Sequence, residues 1–354
     1  MANARCTDSG LPVSGEFALI ERYFTRPSAR AVLGVGDDCA LLQSAPGMQL
    51  AISTDMLVAG RHFFPDTDPR LLGHKSLAVN LSDLAACGAR PLAFTLALSL
   101  PEVDAPWLQA FSEGLLALAD AHQCELIGGD TTRGPLTICI TVLGEVPMDA
   151  ARLPVPTSAL LRSGAQTGDD VYVSGSLGDA ALALRALQGQ LPLTAPLPKA
   201  LLAQARQRLD APQPRVALGQ ALRPLASACA DLSDGLLGDL GHILARSGCG
   251  ARLDVSQVLP LLATRQHCVG GPAQFDATYG TELALQCVLA GGDDYELVFC
   301  AAPAQRLAMD ALAQSLALAL TRIATIEAEP GLRLVDAQGA PLQASFASFD
   351  HFTP

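Results

Sequence analysis

The sequence predicts an α/β or α+β protein of two domains. Its 354 residues exceed the ~250–300 at which a single core stops growing. Strand-length apolar runs alternate with helix-length Ala- and Leu-rich segments, the pattern of mixed layers. A stretch rich in Pro, Ala and Arg at residues 147–167 interrupts that alternation and divides the chain into 1–150 and 151–354.

In the first half, Leu50–Thr54 reads as a short buried strand ending on Asp55, and Pro69–Cys87 as a helix closed by Gly88. Phe94–Leu100 is strand-like, Pro106–His122 helical, Glu125–Ile127 a strand entering Gly128-Gly129, and Thr137–Val146 another strand. In the second half, Asp170–Ser174 feeds Gly175-Ser-Leu-Gly178 and an Ala/Leu helix, and residues 189–198 read as a surface loop. A helix at Arg215–Ala226 leads into Asp231-Leu-Ser-Asp-Gly235. The helix after it ends at Gly248, with Arg246 in its last turn where the dipole favours a cation. Gly331–Leu342 reads as a hairpin turning at Ala337-Gln-Gly339.

Composition narrows the function classes. A formal net charge of −12 argues against a nucleic-acid partner, because binding a phosphodiester backbone relies on Lys and Arg. No uninterrupted apolar stretch approaches the ~18–20 residues of a membrane helix. Residues 1–15 lack the apolar segment of a secretory signal, so a cytoplasmic location without membrane attachment is expected. The ten cysteines are scattered, with no Cys-x-x-Cys pair. That spacing suggests small buried hydrophobes in a reducing compartment.

The chemistry-bearing feature is a series of aspartates beside glycine or hydroxyl residues at expected element ends. They are Gly34-Val-Gly-Asp-Asp38, Ser53-Thr-Asp55, Asn80-Leu-Ser-Asp83, Gly128-Gly-Asp130, Asp231-Leu-Ser-Asp-Gly235 and Gly291-Gly-Asp-Asp-Tyr-Glu296. Mg²⁺ takes oxygen ligands, commonly one or two carboxylates with phosphate and water completing the shell. Adjacent glycines let backbone approach a phosphate closely. Taken singly, each aspartate also suits a turn or a helix cap. Asp83 is different: Ser76, Asn80 and Asp83 form one helical stripe beside an apolar stripe of Leu77, Leu81 and Leu84. A carboxylate bordering a buried face is costly unless paired or metal-bound. Asp231 and Asp234 flank Ser233 at an expected helix start, where Ser233 suits an N-cap and the N-terminus suits phosphate. P-loop, three-glycine dinucleotide, EF-hand and Gly-x-Ser-x-Gly patterns are absent, so phosphate chemistry here would be metal-led.

In their order these segments resemble the thiamine-monophosphate kinases of the PurM-like superfamily, and the resemblance covers nearly the whole chain. Besides the aspartate segments it includes Gly60-x-His62-Phe63, Lys75-x-Leu-Ala-Val-Asn-Leu-Ser-Asp-Leu-Ala85, Arg162-Ser-Gly164 and Asp350-His-Phe352. It implies a PurM-like fold whose N-terminal mixed-sheet domain pairs in a homodimer, with ATP in a groove near that contact and an α/β C-terminal domain. It implies ATP-dependent, Mg²⁺-dependent phosphorylation of thiamine monophosphate to thiamine diphosphate by direct in-line transfer, and leaves a monovalent-cation requirement open. By motif, Asp38, Ser53, Thr54, Asp55, Asp83, Asp130, Asp231 and Asp234 would hold several Mg²⁺ ions. Gly129, Asp130, Arg162 and Ser233 would contact ATP, with Asp130, Asp234 and Arg162 carrying catalysis. His62, Asp293 and Phe349 would contact thiamine monophosphate. Two departures stand out: Asp293 replaces a glutamate common in the family, and Phe349 stands where tyrosine is also found.

Two alternatives remain at this stage. Another PurM-like synthetase, of the aminoimidazole ribonucleotide or selenophosphate type, would share the Asp-rich groove, but the selenophosphate type would need a reactive cysteine in a Gly-rich N-terminal segment, which is absent. A non-catalytic acidic metal-binding protein would need no ATP and leaves Arg162 without a role.

Overall fold

The computed structural model describes residues 16–36, 38–151, 157–191, 196–342 and 346. The expectations for Phe349, and for positions 192–195 of the surface loop, fall outside these residues. The first half comprises α1 (Glu16–Tyr23), β1 (Ala31–Leu33), β2 (Leu41–Leu42), β3 (Met48–Val58), α2 (Pro69–Ala86), β4 (Arg90–Leu100), α3 (Ala105–Ala121), β5 (Glu125–Arg133) and β6 (Thr137–Pro147). β3, β6, β4 and β5 form a mixed sheet in that order, with β6 antiparallel to β3 and β4 and β5 parallel to β4.

α2 and α3 cover one face of this sheet, and glycines set how closely they pack. A Cβ on Gly114 would lie 1.8 Å from the Arg70 carbonyl oxygen, and one on Gly73 would lie 2.1 Å from that of Phe111. α2 begins with Asp68, whose carboxylate accepts from the Arg70 and Leu71 amides, and with Pro69, whose fixed φ suits the first turn. It is buried on nearly every side, as a helix between layers must be.

The second half comprises β7 (Asp170–Ser174), α4 (Asp179–Leu187), α5 (Lys199–Asp210), α6 (Val216–Leu222), β8 (Ala228–Asp231), α7 (Leu236–Ser247), β9 (Gly250–Asp254), the short α8 (Val255–Val258) and α9 (Ala263–His267), α10 (Gly271–Tyr279), α11 (Thr281–Ala290), β10 (Leu297–Ala301), α12 (Arg306–Leu316), β11 (Leu320–Glu327) and β12 (Gly331–Val335). Its six-stranded sheet runs β12-β9-β11-β7-β10-β8. One apolar cluster lies on the sheet face that carries Val171, Val298 and Ala230. The other face, with Tyr172, Phe299 and Cys229, joins the N-terminal core through Leu77, Leu81, Val216 and Leu222. α2 is therefore shared by both halves, and Gly219 of α6 sits where a Cβ would be 1.9 Å from the Ala85 carbonyl oxygen.

Three expectations are corrected. The short buried strand expected over Leu50–Thr54 is β3, which runs on past Asp55 to Val58 and leaves Leu50 and Ile52 exposed, because only one face of this edge strand is covered by α2. The strand expected to end at Ile127 runs to Arg133, with a bulge at Ile127 and then Gly129 opposite Leu96 and Asp130 opposite Ala97. Gly129 is there because φ is 151° and a Cβ would lie 1.9 Å from the Leu96 carbonyl oxygen. The helix expected over 215–226 stops at Leu222, because Pro224 has no N–H to continue the ladder. The expected C-terminal hairpin is present as a short one: Gly339 donates to the Asp336 carbonyl at 2.9 Å, Asp336 N to the Ala340 carbonyl at 3.0 Å and Leu342 N to the Leu334 carbonyl at 2.9 Å, about an antiparallel bridge of Val335 with Pro341. β12 also pairs in parallel with β9.

Candidate active site

Strand alternation decides which aspartates meet. Asp55 lies opposite Ile140, and Ser53 opposite Val142, both on the sheet face that α2 covers. From α2, Asn80 accepts the Asp55 amide hydrogen through Oδ1 at 3.1 Å and donates through Nδ2 to the Ser76 carbonyl at 3.0 Å. Asp83 accepts from the Ser53 hydroxyl. The Ser76–Asn80–Asp83 stripe is thus packed against β3 rather than turned to solvent. Asp231 reaches the same place from the end of β8, accepting from Ser82 Oγ at 2.8 Å.

A cavity of about 520 Å³ opens here between the halves, lined by Asp55, Asp83, Asp231, Ser233, Asp234, His62, Asp293 and Tyr295. Its carboxylates raise one another's affinity for protons. Burial, with Asp83 and Asp234 close by, lifts Asp55 to about 6. Burial pushes Asp83 up against the opposing pull of the Ser53 hydrogen bond and Arg162. Burial and Asp83 raise Asp231 as well. Behind them Asp239, raised to about 7 by burial and Asp234, accepts from the Ser233 and Asp234 amides at 3.1 Å each.

That last contact corrects the expected N-cap. α7 begins at Leu236 after Gly235, so Ser233 precedes the helix, and Asp239 caps the turn from inside it. The Asp231–Asp234 turn is also fastened to the Gly291–Glu296 segment. Asp293 N donates to the Ser233 carbonyl at 2.9 Å and Tyr295 N to the Leu232 carbonyl at 2.8 Å. Asp294 points away and accepts from Gly178 N at 2.9 Å. Burial pushes its pKa up.

Not all expected site residues share this cavity. Asp130 lies in register with Ala97, Cys139 and Met56, and therefore on the opposite face of the sheet from Asp55. Thr54 is on that open face too, with its hydroxyl 2.9 Å from that of Thr141. Asp38, Gly129 and Asp130 line a second cavity of about 500 Å³ beside α1. Arg162 lines a third opening with His242 and Arg246, yet lies near enough to lower the pKa of Asp83 and Asp239. Within this chain the expected metal ligands therefore divide between two cavities, since pleat parity places Asp130 and Asp55 on opposite faces of the sheet. Among the described residues, no three His, Cys, Asp or Glu side chains close into a ready metal cage.

Some residues of this site carried no expectation. Asp239 and Glu296 are buried acids with defined partners, and Lys75 is a buried cation paired with Asp293 of the cavity wall. The signal in the sequence for Lys75 is that its helical neighbours Leu71, Leu72, Ala78 and Val79 are all apolar.

Comparison with known proteins agrees with this architecture. Residues 36–146 match the AIR synthase related protein N-terminal domain, and residues 166–337 match its C-terminal domain. Over 342 residues the chain is 47% identical to the thiamine-monophosphate kinase of Salmonella typhimurium, covering 96% of this chain and 98% of that one. The chain belongs to the thiamine-monophosphate kinase family. Among solved structures, thiamine-monophosphate kinase from Stenotrophomonas maltophilia is 47% identical with a TM-score of 0.77, covering 89% of this chain and 93% of that one. AaThiL complexed with AMPPCP and TMP is 25% identical with a TM-score of 0.71, covering 88% and 89%. The chain pairs two α/β halves about an acidic cleft. No helix among its described residues is long and apolar enough to cross a membrane.

Proposed function

We propose that this chain carries out its family's reaction at the interdomain cavity: transfer of the ATP γ-phosphoryl to thiamine monophosphate, giving thiamine diphosphate and ADP. The observation that carries the reading is the gathering of Asp55, Asp83, Asp231 and Asp234 from both halves into one cavity, beside His62 and Asp293. The acceptor phosphate is nucleophilic when ionised, so no strong general base is required and transfer is direct and in line. The P–O bond to ADP breaks as the bond to an acceptor oxygen forms, and positioning with charge neutralisation supplies most of the rate.

The donor set fits Mg²⁺. These carboxylates crowd together without enough cations of their own, and Mg²⁺ takes only one or two carboxylates per ion when substrate phosphates supply other ligands, so a preformed cage is not needed. Asp55, Asp83, Asp231 and Asp234 would hold the ions, with Ser53 contributing and a monovalent cation as a further candidate. Bound there, Mg²⁺ neutralises charge on the transferred group. The chain's own groups do the rest: Asn80 and Ser53 orient Asp55 and Asp83, Asp239 shapes the Ser233–Asp234 turn, and Arg162 adds positive charge behind Asp83. His62 accepts the Val58 amide hydrogen through Nδ1 at 3.0 Å, which fixes its ring at the cavity wall and puts the proton of the neutral ring on Nε2.

A homodimer reconciles the two sheet faces. The open face of β3 exposes Leu50, Ile52 and Met56, with Ile52 62% exposed. β3 and β5 are both edge strands, about 14 Å apart across three strand spacings. Face-to-face pairing with β5 of one copy beside β3 of the other would bring Asp130 of the partner subunit to Thr54, next to Asp55 along β3, completing the ATP side with Gly129 and Asp38. Ile52→Arg is expected to give a monomer by light scattering with most activity lost. A fully active wild-type monomer would sink this pairing. The domain boundary is placed in the link between β6 and β7, near residue 150. The free cysteines among the described residues support a reducing, cytoplasmic setting.

The deciding assay supplies ATP, Mg²⁺ and thiamine monophosphate and follows thiamine diphosphate and ADP by chromatography. Stoichiometric formation of both is expected. ATP turnover only with a different phosphate or amide acceptor would overturn the assignment.

A further inference from the structure

Lys75 is a cation on α2 whose side chain is only 3% exposed. Burying an ammonium is costly unless it is paired. Its partner is Asp293, from the other half of the chain, with Nζ 2.8 Å from Oδ1. The Tyr295 hydroxyl also points at Oδ1, at 3.4 Å, while Oδ2 accepts no hydrogen bond from the described residues. Asp293 itself lines the cavity that holds Asp234 and His62.

The backbone is built around this arrangement. Asp293 and Tyr295 have φ of 65° and 50°, in the left-handed region that non-glycine residues seldom occupy. Gly292 between the turns could not carry a Cβ, which would lie 2.4 Å from the Ser233 carbonyl oxygen. The segment is thus locked to the Asp231–Asp234 turn on one side, and Lys75 ties it to α2, which carries Asn80 and Asp83, on the other. Asp293 is also one methylene shorter than glutamate, so its carboxylate has less reach, and a fixed partner determines where its free oxygen points.

We propose that Lys75, assisted by Tyr295, is a positioning residue for the acceptor substrate: by holding Oδ1 of Asp293 it presents Oδ2 to the thiamine moiety and sets the width of the cleft. This rests on the reading that thiamine monophosphate occupies this cavity. The thiazolium of that substrate is cationic, and a carboxylate neutralised on one oxygen still offers the other as a directed acceptor. The Lys75–Asp293 pair therefore acts on acceptor binding rather than on ATP.

The test compares Lys75→Met, Lys75→Arg, Tyr295→Phe, Asp293→Asn and the Lys75→Met/Asp293→Asn double variant, with KM for each substrate, kcat and the melting temperature measured. Lys75→Met is expected to raise KM for thiamine monophosphate about tenfold, the scale of one charge-assisted hydrogen bond, with KM for ATP unchanged. Lys75→Arg should recover part of that loss, and Tyr295→Phe should raise the same KM about threefold at an unchanged melting temperature. The double variant should be no worse than Asp293→Asn alone, because an amide needs no cation. Equal changes in both KM values, or a lower melting temperature with unchanged KM, overturn the role of Lys75. If Lys75→Met does not fold, Tyr295→Phe decides by the same split. A wild-type chain that never phosphorylates thiamine monophosphate overturns the underlying reading, and the role of Lys75 with it.

Discussion

Asp231→Asn is expected to lower kcat about 10³-fold while making the metal-free chain more stable, not less. The activity loss follows from removing a carboxylate where charge on the transferred group must be neutralised. The stability gain follows from relieving repulsion: Asp83, Asp239 and Asp55 all disfavour a charge on Asp231, which is itself buried. The asparagine can still accept the Ser82 hydrogen bond through its oxygen, so the packing is retained. The same physics gives a pH dependence. A carboxyl whose folded pKa exceeds its unfolded value binds its proton more tightly in the folded chain, so its contribution is present at low pH and lost as pH rises. Asp55, raised from 3.8 to about 6, and Asp239, raised to about 7, place that loss between pH 4 and pH 7. In EDTA the wild-type chain should melt several degrees lower at pH 8 than at pH 5. Excess Mg²⁺ should reverse the difference at pH 8, because an ion that binds only the folded state stabilises it by mass action. In Asp231→Asn both the pH slope and the Mg²⁺ effect should shrink. Wild-type turnover in the variant, or a metal-free chain that gains stability toward pH 8, would remove the carboxylate cluster as the explanation.

Much of the N-terminal half was legible because its signals are local. The apolar run at Leu50–Thr54 marks a strand, though the strand is longer and more exposed than the run suggests, and the Ser76–Asn80–Asp83 stripe marks a polar seam on an otherwise buried helix. Four of the aspartates in these segments, Asp55, Asp83, Asp231 and Asp234, line the cleft, while Asp38 and Asp130 line another cavity. What local pattern could not convey was parity and distance. Asp130 and Asp55 look equivalent in sequence, yet the register through Ala97, Cys139 and Met56 puts them on opposite faces. In the C-terminal half the strand signal is weaker, and in β10 burial of every residue removes the period-two pattern that marks a half-buried strand. Gly128-Gly129 resembled a turn because glycine is common in turns, whereas here it permits close approach of two strands. The ion pairs that brace the site join residues far apart in the chain, so no window of sequence contains both partners.

Glu296 is the sharpest case of such a brace, and Glu296→Ala is expected to cost about 4 kcal/mol of stability, the scale of breaking a buried ion pair by removing one member. The residue is fully buried at 0% exposure. Arg208 donates to Oε1 at 2.7 Å, Arg215 to Oε2 at 2.6 Å through Nε, and Ser174 Oγ to Oε2 at 2.6 Å. Removing the carboxylate leaves two arginines largely out of water with no counter-charge, and leaves the Ser174 hydroxyl without its acceptor. Glu296→Gln should be milder, since its amide oxygen can still accept, but its NH₂ would face a guanidinium and one fork is lost. Activity should fall further than stability explains, because the segment from Gly291 to Glu296 ends at this brace. The Glu296 carbonyl accepts from Leu232 N at 2.9 Å, next to the Asp231–Asp234 turn. Loosening it lets Asp293 and Tyr295 leave the left-handed region they hold and blurs both walls of the cleft. Urea unfolding of the wild-type chain and both variants, with KM for thiamine monophosphate measured well below each midpoint, separates the two effects. A Glu296→Ala chain as stable as the wild type would mean that water, not Glu296, satisfies Arg208 and Arg215. A destabilised chain with unchanged KM would mean that the brace supports the fold without shaping the acceptor side.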